Sequence, residues 1–427
     1  MSRLLLEQSP PRMPAVRPLR TPFPRPRLGF FYVMSIPIGA GIGAARGVEI
    51  AGFNYTGWLW LVYLALGILV LLVERATSVP RQRIPFPYKP WLPWVGLIWL
   101  SILWLRDPVG VGLQDAMQIT MPVLCAVVAS IFVTEDWQVK YLMRSFFVSL
   151  VLLYLTVAVS RFGGFDDVDW AGAMRPLGMT AALIAGICLA QPPRRGALRL
   201  AGWGICLLVG IITEARIITV SMLVLPLINP VTKGLFKRVV LGLSILVLAV
   251  AVFYSASFQQ RFFYTGSGSM SDVAQGKLDT SGRFEAWPYV WEEAWRHPVL
   301  GSGIGSTHAF VGRIWNDITL VHCDFLRVGF ELGLVGLAIF VLVFAWQTWE
   351  LWKGTRTTSG WTRAAYGSAF MGMIVFWINA ATDNPVGYNL WYMDPLFALI
   401  GAAYGAANAT AMRESAADVA RVNSQSE

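Results

Sequence analysis

Apolar runs follow one another along most of this chain, separated by short polar connections. A helix needs roughly 20 apolar residues to cross a ~30 Å hydrocarbon core, and these runs come close to that length. Twelve are read, at about 28–45, 57–73, 91–105, 115–133, 141–160, 176–191, 200–213, 217–231, 239–257, 332–351, 364–382 and 391–410. The pattern predicts an all-α polytopic membrane protein of about 12 transmembrane helices. It divides the chain into a tail (1–27), helices one to nine (28–257), one long polar loop (258–331), helices ten to twelve (332–410) and a second tail (411–427).

Composition sharpens this picture. Hydrophobic residues make up 56% of the 427 and charged residues only 14%, too little charge to cover a soluble protein of this size. The charges also alternate by loop. The first tail carries Arg3, Arg12, Arg17, Arg20, Arg25 and Arg27, and the even-numbered connections add clusters such as Arg194, Arg195 and Arg199 or Lys233, Lys237 and Arg238. Basic loops mark the cytoplasmic side. With both termini there, that side holds 23 basic and 8 acidic residues, net +15. The outer side holds 11 and 17, net −6, and the two make up the chain's +9. The basic balance is therefore a topology signal. Nucleic acid is not an expected partner, because the cations are spread over alternate loops and form no single patch. The Pro- and Arg-rich tail before Leu28 is expected to be disordered, and the first span to act as an uncleaved signal anchor.

The three histidines, His297, His308 and His322, all fall in or at the end of the long loop. Histidine is the side chain whose ordinary pKa, about 6.5, lies near neutrality, so the candidate chemistry is sought there. The loop opens as a small, polar linker, Thr265-Gly-Ser-Gly-Ser-Met-Ser271. Helical spacing returns with Phe284, Trp287, Val290/Trp291 and Ala294/Trp295, with Ser281 as an N-cap and Pro288 as a kink. The tryptophans suit a helix lying at the membrane interface. His297-Pro-Val-Leu-Gly-Ser-Gly-Ile-Gly305 then reads either as a tight turn or as backbone that approaches phosphate oxygens at Gly301, Gly303 and Gly305. It lacks the Lys-Ser/Thr of a nucleotide loop. His322 stands where the chain re-enters the membrane, with Gly333 and Gly336 allowing close packing deeper in.

Two arginines lie near the same face, Arg216 between the seventh and eighth spans and Arg283 at the start of the interfacial helix. Each either pairs with a nearby acid or offers a bidentate grip on phosphate. Asp166, Asp167 and Asp169 read as a solvated run, with no metal expected. Cys125, Cys188 and Cys206 lie in spans and Cys323 near the outer face, which gives no disulfide framework.

The segments Ser281-Gly-Arg-Phe-Glu-Ala-Trp287, Arg296–Gly305 and His322–Gly336 resemble the signature region of the O-antigen ligase and polymerase family. Those are bacterial inner-membrane proteins that move glycan from an undecaprenyl-diphosphate carrier at the periplasmic face. One position departs from the ligase pattern: Cys323 follows the histidine, where Asn, Ser or Gln is usual. The resemblance implies a membrane glycosyltransferase that works without metal, cofactor or ATP and inverts the anomeric centre. It implies that His322 is the general base, that Arg216 and Arg283 clamp the departing diphosphate, and that the donor is also met by His297, Gly303, Gly305, Asp324 and Arg327. The implied partners are the lipid-linked donor, a glycan or lipid A-core acceptor, membrane lipid, and a chain-length regulator and flippase. A transporter or flippase of lipid-linked oligosaccharide is the competing reading of twelve spans.

Overall fold

The computed structural model describes residues 28–42, 49–50, 53–77, 84–105, 109–162, 170–192, 196–213, 216–231, 235–263, 265–275, 283–314 and 321–426. Apart from a two-residue antiparallel pairing of Glu49–Ile50 with Phe53–Asn54, the regular structure among them is helical. Each of the twelve expected apolar runs falls on a helix: α1 (Leu28–Ile42), α2 (Tyr55–Thr77), α3 (Leu92–Ser101), α4 (Val109–Phe132), α5 (Asp136–Phe162), α6 (Trp170–Ala190), α7 (Gly196–Ile212), α8 (Arg216–Ile228), α9 (Leu235–Phe253), α14 (Asp324–Thr357), α15 (Gly360–Ala380) and α16 (Asp394–Ser426). The polar stretch between α9 and α14 carries the short helices α10 (Ala256–Phe262), α11 (Met270–Ala274), α12 (Arg283–Ala294) and α13 (Ser306–Ile314).

Val109–Phe132, Asp136–Leu155 and Asp324–Thr357 are long and apolar enough to cross a membrane, and six shorter apolar helices accompany them. Outer surfaces carry Leu66, Leu69 and Leu72 of α2, Ile205 and Leu208 of α7, and Leu243, Leu246 and Val247 of α9, all exposed. Water would not tolerate so much contiguous apolar surface, whereas lipid requires it. The chain is a helical membrane protein.

Small residues set the closest packing. Gly401 and Gly405, one turn apart on α16, lie on the backbone of Ala126 and Ser130 in α4 and of Val133 just after it, where any side chain would collide with carbonyl oxygens. Between α3, α14, α15 and α16 sits an aromatic core of Trp91, Trp94, Phe340, Phe344, Phe376 and Phe397. The stretch Leu177–Ala190 of α6 is buried throughout, against α15, α7 and α8.

Three elements differ from their sequence expectation. The expected linker at 265–271 is ordered: Gly268 N–H donates to Gln259 Oε1 at 2.7 Å, and Ser269 and Asp272 form a capping box that starts α11. The last helix runs on to Ser426 as an exposed rod, because Ala, Met, Arg and Glu beyond 410 favour helix without needing to pack. The tenth helix begins at Asp324, before the expected start at 332, and it is broken at Gly333 (φ 66°, ψ −169°). The expected N-cap Ser281, the acidic run Asp166, Asp167 and Asp169, and the first tail lie outside the described residues.

Candidate active site

The break at Gly333 shapes the site. A helix broken at membrane depth frees backbone groups that lipid cannot satisfy. Here the His297–Gly305 segment satisfies them. Leu334 N–H donates to Pro298 O at 2.7 Å and Val335 N–H to Val299 O at 3.2 Å. In return Ser302 N–H donates to Phe330 O at 3.0 Å and Gly303 N–H to Glu331 O at 2.8 Å. A Cβ on Gly333 would stand 2.3 Å from Val299 O, and one on Gly301 would stand 2.4 Å from the Glu331 carbonyl carbon. Both glycines also have positive φ. The two sequence motifs are thus the halves of one backbone joint.

Gly303 and Gly305 belong to that joint's other side. They are buried with positive φ, packed on Ser101 at the end of α3, on Leu105 beyond it and on the backbone of Gly112 in α4. Ile304 N–H donates to Ser101 Oγ at 3.1 Å. The N–H groups of Gly303 and Ile304 are thus engaged by protein atoms. His297 is half-buried, and its carbonyl accepts Gly301 N–H at 2.9 Å to close the turn.

His322 sits just before α14 with φ 52°, the single non-glycine residue with positive φ among the described residues. A left-handed backbone costs an L-residue about 1–2 kcal/mol, and such strain gathers where a side chain must be aimed. The imidazole is held by Asp383, in the connection after α15: Nδ1 lies 3.2 Å from Asp383 Oδ1, with the carboxylate 5% and the imidazole 15% exposed. The carboxylate is itself fixed. Tyr388 Oη donates to Asp383 Oδ1 at 3.0 Å, and Asn384 N–H does so at 2.9 Å. Donation from Nδ1–H to Asp383 selects the tautomer whose lone pair is on Nε2.

Asp324 and Arg327 turn inward. Asp324 is fully buried at the first turn of α14, where the helix dipole favours a carboxylate, and accepts Val386 N–H at 2.9 Å. Arg327 donates to Asp115 of α4 at 2.5 Å and to Glu331 at 3.2 Å. Glu331 also accepts Thr307 Oγ1, and His308 Nε2 lies 3.5 Å from Asp115. This network binds α4, α13 and α14 into one unit behind His322. Cys323 packs in a small apolar cluster with Val290, Val311, Val321 and Phe330, and burial pushes its thiol pKa up, away from nucleophilic use.

Arg216 opens α8. Five residues on, Ser221 Oγ accepts Asn379 Nδ2 at 3.3 Å from α15, and Asn379 lies one turn before Asp383. Since α8 and α15 run in opposite directions at this contact, Arg216 reaches the level of Asp383 at the same end of the bundle. Arg283 is the first residue of α12. One turn along, Trp287 Nε1 donates to Val321 O at 2.8 Å, which seats the helix beside the residue preceding His322. Asn384 and Asn389, buried in the same connection as Asp383, have side-chain nitrogen and oxygen atoms without hydrogen-bond partners among the described residues. Buried amides of that kind call for water or ligand.

The structure thus gathers His322, Arg216 and the start of α12 at one end of the bundle, and adds Asp383, Asn384 and Asn389, which the sequence reading did not select. A signal was available: Asp383-Asn-Pro-Val-Gly387 is a polar break where an apolar run ends. Residues 200–341 match the family model described as O-antigen ligase, a range that takes in Arg216, Arg283 and His322 and ends before Asp383. No curated protein matches the chain.

Proposed function

We propose that this chain, a member of the O-antigen ligase family, transfers a glycan from an undecaprenyl-diphosphate carrier to a sugar hydroxyl at the periplasmic face of the bacterial inner membrane. His322 Nε2 takes the proton of the acceptor hydroxyl as its oxygen attacks the anomeric carbon. The bond from that carbon to the diphosphate breaks, and its electron pair stays on the leaving oxygen. Arg216 and Arg283 meet the charge that develops there. One displacement, with no protein nucleophile, inverts the anomeric centre. The observation that carries this reading is the His322–Asp383 contact, because a base must be held in one tautomer and one direction to act on an incoming hydroxyl.

Twelve crossings with both termini in the cytoplasm fit this placement. Arg413 pairs with Glu135, and Thr362 N–H donates to Asp136 at 3.1 Å, so the starts of α5 and α15 and the far part of α16 share one end of the bundle. His322 and Asp383 are at the other end. Among the described residues, the buried charges Asp115, Asp324, Arg327, Glu331 and Asp383 cluster toward that end, whereas Asp394 lies deeper, beside Cys125 of α4 and Tyr32 of α1. A transporter would string such groups along a path through the bundle, and five of these six instead cluster.

The test is transfer by the purified protein in proteoliposomes, from a defined undecaprenyl-diphosphate oligosaccharide to either a second lipid-linked unit or a lipid A-core glycan. The linkage of the product is read by NMR. Elongation identifies a polymerase and capping of the core a ligase. Turnover with neither acceptor, or retention of configuration, would overturn the reading.

A further inference from the structure

A sizeable cavity lies at the end of the bundle opposite His322. Its volume is about 840 Å³, within the range of small-molecule sites. It opens among the first turns of α5 and α7, the end of α6 and the start of α15. Three cations line it: Lys140 and Arg144, one turn apart on α5, and Arg199 on α7. No carboxylate is among the lining residues. The nearby Asp136 is already committed, accepting Trp361 N–H at 3.3 Å, Thr362 N–H at 3.1 Å and Thr362 Oγ1 at 2.7 Å at the start of α15.

The cations are presented by specific contacts. Lys140 Nζ stands 5.7 Å from the ring centre of Trp361, and the Arg144 guanidinium 5.5 Å from that of Tyr141. Arg199 Nη1 donates to Gln191 O at 2.9 Å, which fixes the group at the end of α6, while its buried Nε has no hydrogen-bond partner among the described residues. Apolar side chains complete the lining. Phe147 lies one turn beyond Arg144, and Leu198, 60% exposed, faces outward beside Arg199. A preference for basic residues on one side of the membrane would scatter cations over loops. Here three converge on one cavity with an apolar edge.

We propose that this cavity binds the anionic headgroup of a membrane phospholipid, its phosphate against Lys140, Arg144 and Arg199 and its acyl chains passing over Phe147 and Leu198. The apolar edge favours a lipid over a free anion, because a soluble phosphate would leave that edge uncovered. Basic pockets between transmembrane helices commonly take such headgroups. The site is separate from the proposed catalytic end and does not depend on the transfer reaction.

Native mass spectrometry and thermal unfolding of the full chain test it, in nanodiscs of phosphatidylcholine alone or mixed with phosphatidylglycerol. Wild type should retain phosphatidylglycerol over phosphatidylcholine and unfold at a higher temperature with it. Each cation removed should weaken retention about fivefold, so Lys140→Gln/Arg144→Gln should lose roughly 25-fold. Arg199 is left in place because it also caps α6. The charge-keeping pair Lys140→Arg/Arg144→Lys should retain the lipid, and Lys140→Gln alone carries the test if the double variant does not fold. Equal retention of the two lipids, or unchanged retention in the neutralised variants, would overturn the proposal. Stabilisation by inorganic phosphate alone, with no further gain from phosphatidylglycerol, would overturn it in favour of a soluble anion.

Discussion

The Nδ1 atom of His322 and the Asp383 carboxylate meet at 3.2 Å although 61 residues of chain separate them. The contact joins the end of the long polar loop to the connection after α15. It predicts that Asp383→Asn loses transfer while leaving the protein folded. An amide in that place can donate to Nδ1 and so favour the tautomer whose lone pair faces away from the acceptor. Loss of a positioned base costs about 10²–10⁴-fold in rate. Asp383→Asn and His322→Ala should both fall in that range, without a matching loss of donor binding. In wild type the rate should drop on acidification, since a proton on Nε2 leaves no base. Near wild-type turnover in Asp383→Asn would show that His322 does not need this partner.

The backbone joint between α14 and the loop gives a second prediction. Gly333→Ala and Gly301→Ala each place a methyl group within about 2.5 Å of peptide atoms, at positive φ. Backbone strain of this kind costs on the order of 1–3 kcal/mol, before the clash is counted. Both variants should unfold at lower temperature and yield less detergent-stable protein. Gly96→Ala is the control, because a Cβ there meets nothing within 4 Å, and it should be neutral or slightly stabilising. Equal behaviour of all three would mean that the joint is not formed.

These cases show what the sequence could and could not disclose. Helix placement was legible because lipid enforces length and apolarity, and the twelve expected runs fall on helices. His322 was legible as a polar residue at a membrane boundary. Asp383 was not, because its partnership is made by folding α15 back along α14, and no local spacing encodes that contact. The glycines of the loop were visible as a motif, but their complement was a single glycine inside an apolar run. Asp324 and Arg327 enter the expected donor contacts only through the family resemblance, which does not say which way the helix turns them. The helix then rotates them inward, to Val386 and to Asp115 and Glu331.

Arg327 therefore leads to a prediction about stability. It is 5% exposed and sits between two buried carboxylates. Removing one partner of a buried ion pair typically costs about 3–5 kcal/mol, because the remaining charge is left uncompensated. Arg327→Ala should lower the unfolding temperature sharply, whereas the folded fraction should still bind the lipid-linked donor. Reduced donor affinity at unchanged stability would instead make Arg327 a substrate contact.

The fourth prediction concerns metal. The proposed clamp carries its positive charge on guanidinium groups, which are charged at every working pH. Transfer should then continue in EDTA and need no nucleotide, as measured with the purified protein and a defined donor. A strict requirement for added Mg²⁺ or Mn²⁺ would show that the diphosphate is neutralised by an ion and not by Arg216 and Arg283.

The clamp itself is open to a graded test. Arg216 starts α8 at the level of Asp383, and Arg283 starts α12 one turn before the residue that anchors the helix to Val321. Two arginines from separate elements can approach a diphosphate from different directions, and each can offer a pair of N–H groups. Charge alone would be supplied equally well by lysine. Arg216→Lys and Arg283→Lys should therefore keep only part of the transfer rate, and the alanine variants very little, since lysine is a point charge without the planar fork. Loss of a charge that acts only as negative charge builds up on the leaving oxygen lowers kcat and kcat/KM together. Loss of a charge that merely holds the donor raises KM alone. Rate measurements over donor concentration for the four variants separate these cases. Full activity in either alanine variant would remove that residue from the clamp and leave the departing diphosphate to the other.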